Sequence, residues 1–193
     1  RETDGAELIR KLTGSPCPVL PDPTLLHEKE YWLELARKPK NFPYKERGFV
    51  FTYRISFTPH IAKTAAQVAK KLKLPLVTCE LVSPHSFYSN MGPQEFLWCI
   101  AHAAHVITAS FHGTVFSLIM GTPFHTITSS APQKRMTTLL ANVGLENRLV
   151  DSIEEMDLIN TLYPVEQVSS RISQLRQTGI NWLSENLHPT QAS

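Results

Sequence analysis

The chain has 193 residues, 42% of them hydrophobic and 19% charged, an ordinary composition for a soluble globule with one sizeable core. A net charge of +2 on scattered bases gives no reason to invoke nucleic acid; the one dense run, Ala69-Lys70-Lys71-Leu72-Lys73, reads as the solvated end of a helix. Cys17, Cys79 and Cys99 lie far apart without CxxC spacing, which indicates neither a disulfide framework nor a zinc site and fits a reducing compartment. No apolar stretch reaches the roughly 18 residues of a membrane span, and the opening residues do not read as a signal peptide.

Thr3 or Asp4 can cap a helix from Gly5 to Leu12, with Leu8, Ile9 and Leu12 on one face and Gly14 ending it. Pro16 to Leu20 reads as a brief strand, Asp22-Pro23-Thr24 as a turn, Leu26 to Arg37 as a helix and Lys38 to Arg47 as a surface loop. The clearest strand is Gly48 to Ile55, rich in aromatic and β-branched residues. Thr58-Pro59 opens a helix whose Ile61, Ala65, Val68, Ala69 and Leu72 face a sheet. Leu76 to Val82 is a strand, Ser83 to Met91 an irregular aromatic loop placed to meet a ligand cleft, and Gln94 to Ala103 a helix begun by Gly92-Pro93.

Next comes Ala104 to Thr126, AHVITASFHGTVFSLIMGTPFHT, around which the remainder makes sense as scaffold. His105 to Ala109 reads as a buried strand, Ser110-Phe111-His112-Gly113 as a turn and Thr114 to Met120 as a buried helix. Gly113 allows a sharp bend close to a ligand. The amides of His112, Gly113 and Thr114 would then be free donors at a helix N-terminus, where anions are favoured. Phe124 to Ile127 is a strand, Ser129 to Lys134 a loop, and Arg135 to Asn142 a helix stopped by Gly144. A short strand, Arg148 to Val150, precedes an acidic helix, Ser152 to Leu162, and a long amphipathic helix over 165–187; residues 188–193 are an expected frayed tail. Alternating strands and helices give a parallel sheet with helices on both faces.

His112 is the candidate catalytic residue, an imidazole just past a strand end that can give or take a proton near neutral pH. Arg135, with Lys134, follows the next strand and its loop; it reads either as a contact for a small anion or as a solvent-facing arginine at a helix start. His102, His105 and His125 lack carboxylates or cysteines at ligand spacing, so no metal is expected. Glu95 reads mainly as a charge stabilising its helix, and Phe87, Tyr88 and Met91 as candidates to line a groove. There is no GxGxxG, so nothing supports a dinucleotide.

Ser110-Phe111-His112-Gly113-Thr114, followed by Phe116-Ser117 and Gly121-Thr122-Pro123-Phe124, is preceded by Gly92-Pro93-Gln94-Glu95-Phe96 and Val106-Ile107-Thr108. In this order and spacing the strings resemble the C-terminal half of the polysaccharide pyruvyl transferase family. Further likenesses run from Arg1-Glu2 and Asp22-Pro23-Thr24-Leu25-Leu26 to Arg135, Leu139-Leu140 and Gly144-Leu145. The resemblance implies a Rossmann-like α/β domain, one of two facing each other as in GT-B glycosyltransferases. The opening Arg1-Glu2-Thr3-Asp4 reads as the inside of a working element. The expectation is therefore a single C-terminal domain over 1–193 that lacks an N-terminal partner and is inactive by itself.

The implied reaction moves the pyruvyl group of phosphoenolpyruvate onto two sugar hydroxyls as a ketal, with release of phosphate. The acceptor would be a bacterial surface polysaccharide or its lipid-linked precursor, and phosphoenolpyruvate is a substrate, so no cofactor is expected. His112 corresponds to the family's catalytic histidine, as acid or as base. Ser110, Gly113, Thr114, Arg135, Lys134 and Arg1 are the candidate donor-binding residues. A cytoplasmic location is implied, with peripheral association at the inner membrane face left open. A nucleotide-sugar glycosyltransferase and a non-catalytic sugar-binding or assembly module are the other readings this fold allows.

Overall fold

The β-branched and aromatic runs of the sequence become five parallel strands in a computed structural model that describes residues 2–54, 59–80, 91–128, 134–154, 156, 158 and 162–187. They are β1 (Val50–Arg54), β2 (Leu76–Glu80), β3 (His105–Thr108), β4 (Phe124–Ile127) and β5 (Leu149–Val150), in the spatial order β2-β1-β3-β4-β5. β1 pairs with β2 on one side (Val50 beside Leu76) and with β3 on the other (Val50 beside His105). Strand β1 is therefore interior to the sheet, as its apolar composition requires.

Alternation of side chains divides the core in two. Phe51, Val106 and Phe124 point to the face covered by helices α4 (Pro93–His102), α5 (Phe111–Met120), α6 (Lys134–Val143) and α7 (Val165–Asn186). Val50, Ile107, Ile127 and Val150 point to the face covered by α3 (Pro59–Leu72) through Ile61, Ala65 and Val68. This is a Rossmann-like α/β fold. Its connections leave β1 in opposite directions, toward β2 through α3 and, after β2, back across to β3. The order reverses between β1 and β3, and ligands of open parallel sheets bind at the carboxyl ends of strands at such a reversal.

The amino-terminal segment departs from the sequence pattern most. Helix α1 (Thr3–Thr13) has Glu2, not Thr3 or Asp4, at its N-cap position, with no side-chain capping hydrogen bond, and ends at Gly14 with φ 74°. Its Leu8, Ile9 and Leu12 stay exposed. Residues 16–20 form no strand, because Pro16 and Pro18 have no N–H to give a ladder. The helix expected from Leu26 to Arg37 shrinks to α2 (Lys29–Leu35), since Asp22 and Pro23 start a separate 3₁₀ turn, Pro23–Leu26, that takes up the two leucines. The acidic helix expected over Ser152 to Leu162 is absent among the described residues there. Ile153 and Met156 instead turn inward against the α3 side of the core.

Helix α7 fastens the 3₁₀ turn in place. Arg176 donates through Nε to the Leu25 carbonyl (3.1 Å) and through Nη2 to that of His27 (3.2 Å). Gly179 lets α7 lie close, for a Cβ there would sit 2.7 Å from Leu26 and 2.9 Å from Pro21.

Candidate active site

Strand β3 ends at Thr108, whose hydroxyl ties three pieces together. It donates to the Tyr53 carbonyl at the end of β1 (3.1 Å) and accepts from the Ser110 amide (3.0 Å), turning the chain directly into α5. The helix begins at Phe111, earlier than its pattern suggests, so His112 sits in the first helical turn and not in a loop. Ser110 is the N-cap, its Oγ accepting from the Gly113 amide at 3.3 Å.

Three residues expected to touch a ligand have structural partners. Gly113 is buried and helical; a Cβ on it would lie 2.5 Å from Thr108 Oγ1, so its missing side chain serves the packing of α5 onto β3. The Thr114 hydroxyl reaches the Ser110 carbonyl (3.3 Å) and Thr126 Oγ1 (2.7 Å), pinning α5 to β4. The expectation of free amides is thereby corrected: those of Gly113 and Thr114 are taken, the latter by the Ser110 carbonyl at 3.1 Å. Among the described residues, no partner meets the amides of Phe111 and His112, and these are the donors α5 presents at its positive end.

His112 projects from this turn with its side chain 51% exposed. Its Nε2 lies 3.9 Å from Oδ1 of Asp22, a carboxylate only 3% exposed that caps the 3₁₀ turn. That separation is an ion pair whenever the ring is protonated. On the other side of His112 stands the Phe111 ring, edge to face at 5.6 Å, and the Arg135 guanidinium lies over the same ring at 5.0 Å. Imidazole and guanidinium thus flank one aromatic ring at the sheet's carboxyl edge. Arg135 also faces Glu2, Nε to Oε1 at 3.7 Å.

A cleft of about 50 Å³ lies beside Arg135, lined by Asp22, Phe111, Arg135, Thr138 and Asn142 together with apolar residues of the amino-terminal segment, Leu139 and Leu175; His112 is not among its lining residues. Beyond Arg135 a broader hollow of about 310 Å³ is bounded by Glu2, Ile9, Cys17 and Pro18. Lys134 sits beside Arg135 in an exposed ion pair with Asp4. The pair lowers the Asp4 carboxyl and raises the Lys134 ammonium, mainly through their hydrogen bond. Lys134 therefore stands near the site but is already engaged.

Arg1, Phe87 and Tyr88 lie outside the described residues. Met91 packs against the core beside Cys99, and Glu95 returns its carboxylate to the Gly92 amide at 3.0 Å, closing the first turn of α4. Two residues escaped the sequence reading. Asp22 is legible only as a turn residue, and Phe111 as one apolar residue among many; their part in the site arises from tertiary contact. The buried histidines behave differently. His105 Nε2 meets His125 Nδ1 at 3.0 Å inside the sheet, and burial, followed by the nearby charges of His125 and Arg148, pushes the His105 imidazole down to about 3. Among the described residues, no group of three or more His, Cys, Asp or Glu gathers as a metal set.

An open parallel sheet, with an accessible imidazole, a guanidinium and a helix N-terminus at the carboxyl ends of its strands, makes the molecule a Rossmann-like α/β domain. The family model for polysaccharide pyruvyl transferase matches residues 1–130, a span that includes Asp22 and His112 and stops short of Lys134 and Arg135. The chain belongs to the polysaccharide pyruvyl transferase family, which makes it a transferase of polysaccharide biosynthesis with a polysaccharide acceptor. No curated protein matches it significantly. No helix among the described residues is long and apolar enough to cross a membrane.

Proposed function

We propose that this domain moves the pyruvyl group of phosphoenolpyruvate onto two hydroxyls of one sugar, forming a cyclic ketal and releasing phosphate. The reading is carried by the grouping of His112, Arg135 and the open amides of α5 around Phe111 at the end of β3. A donor that bears phosphate and carboxylate calls for cations and backbone amides more than for an apolar pocket.

The chemistry gives each group a task. A proton joins the methylene carbon of the donor while the first sugar oxygen bonds to the neighbouring carbon and gives up its own proton. The bond from that carbon to the phosphate oxygen then breaks, its electron pair leaving with phosphate, and the second sugar oxygen takes its place. Of the two protons the hydroxyls lose, one balances the new methyl group and the other leaves on phosphate. His112 serves as the proton carrier, either as the acid toward the methylene or as the base toward a hydroxyl. Arg135 holds the phosphate or carboxylate, with Lys134 and Arg1 as further cations. Ser110, Gly113 and Thr114 shape the turn that presents His112.

The proposal extends to a facing Rossmann-like domain of GT-B type that would close the cleft, and to a bacterial surface polysaccharide or its lipid-linked precursor as acceptor, met in the cytoplasm or at the inner membrane face. Without the facing domain, donor binding would be weak and turnover low. Isothermal titration with phosphoenolpyruvate tests the core of the reading. Binding is expected, and Arg135→Ala should weaken it by about tenfold or more, the usual worth of a charged hydrogen bond; His112→Ala should weaken it less. Preferential binding of a nucleotide sugar would point to a glycosyltransferase, and binding of sugar alone to a non-catalytic module.

A further inference from the structure

The reaction outlined above leaves Asp22 without a task, although it is the most buried charged group of the site. Capping a four-residue turn does not require a carboxylate, since serine or asparagine would serve as well in that position. A buried carboxylate is costly unless positive charge or hydrogen bonds face it. Its Oδ1 accepts from the Thr24 amide (3.1 Å) and hydroxyl (2.7 Å), which fixes its direction. That same oxygen is the one 3.9 Å from His112 Nε2.

The two partners differ in freedom. Asp22 is held by the Arg176 clamp on Leu25 and His27 and by Trp32, whose indole donates to the Thr24 carbonyl at 3.2 Å. His112 is half exposed on the first turn of α5. Among the described residues, Arg135 also stands near its ring across Phe111, itself facing Glu2. The fixed negative group is thus placed to orient the half-exposed ring.

We infer that Asp22 is a positioning residue for His112: its buried carboxylate, 3.9 Å from Nε2, holds the imidazole in one orientation and offsets the charge the ring acquires when it carries a proton. The inference rests on His112 being the proton carrier of the proposed transfer. It adds a second member to the machinery, supplied by the amino-terminal segment and brought to α5 only by the fold.

The test uses the full protein and two readouts. Diethyl pyrocarbonate acylates unprotonated imidazole, and peptide mass spectrometry follows His112, with the exposed His60 as an internal reference. Without the carboxylate that holds its ring, His112 should react about fivefold faster in Asp22→Asn, with His60 unchanged. In the transfer assay the same variant should lose about tenfold in kcat, with donor affinity kept within about twofold, and Asp22→Glu should recover part of the loss. If Asp22→Asn does not fold, Thr24→Ala removes the hydroxyl that aims the carboxylate and should shift His112 acylation in the same direction by a smaller factor. An unchanged His112 rate in the variant that folds, or a fall in donor affinity matching the fall in kcat, overturns the inference. Should the protein transfer no pyruvyl group while the acylation shift is present, the pairing is upheld and the transfer reading alone falls.

Discussion

The molecule keeps its histidines in two contrasting settings. At the carboxyl end of β3, His112 is open to solvent, stands beside a buried carboxylate and an aromatic ring, and lies at the positive end of a helix. At the other end of the same strand, His105 is fully buried against His125 with Arg148 close by, and its Nδ1 has no hydrogen-bond partner among the described residues. One imidazole meets water and the Asp22 carboxylate. The other is kept neutral by desolvation. Sequence proximity to the motif therefore does not fix a ring's setting: burial and the sign of the nearest charge set His112 apart from His105.

The difference between the two rings has its largest expected consequence in acid stability. The His105 imidazole sits near 3 in the folded protein, against about 6.5 when unfolded, so between these values the unfolded chain binds a proton that the native one refuses. The contribution of a neutral His105 is complete above about pH 6.5 and is lost as pH falls toward 3. From pH 8 to pH 4 this group alone should cost about 3 kcal/mol, read by urea unfolding as the part of the pH slope missing from His105→Gln. An equal slope in that variant would mean that the buried ring is protonated in the native state.

A smaller effect sharpens the open side. Gly113→Ala puts a Cβ 2.5 Å from Thr108 Oγ1, the hydroxyl that links β1, β3 and the start of α5. Overpacking of this kind should cost about 2 kcal/mol in thermal or urea unfolding and displace the turn carrying His112, weakening phosphoenolpyruvate binding as well. Unchanged stability with lost binding would show that Gly113 meets the donor directly and does not merely pack the turn.

Much of the architecture was readable from β1 onward, where burial and pattern agree. The aromatic run at Val50–Arg54, the apolar stripe of α3 and the caps at Gly92-Pro93, Gly121 and Gly144 follow from local rules that tertiary packing does not override. Before β1 those rules compete. Prolines break an apolar run that reads as a strand, and Leu26, which reads as the start of a helix, is drawn into a 3₁₀ turn by Asp22 and Pro23. His112 could be singled out because its neighbours form a turn signature. Asp22 could not, because nothing local records which distant imidazole a buried carboxylate will face. Gly113 reads as a sharp bend beside a ligand, whereas its backbone is helical and the neighbour that leaves no room for a side chain, Thr108, becomes adjacent only once β3 and α5 pack.

On the proposed function, the open imidazole, and not the buried pair, meets the donor. The most direct measurement is the set of histidine-ring NMR signals during titration with phosphoenolpyruvate. The signal assigned to His112 should move to saturation while those of His105 and His125 stay in place, and in Arg135→Ala the same movement should require a higher donor concentration. A titration that leaves His112 unmoved, or that moves the buried pair instead, would contradict the account.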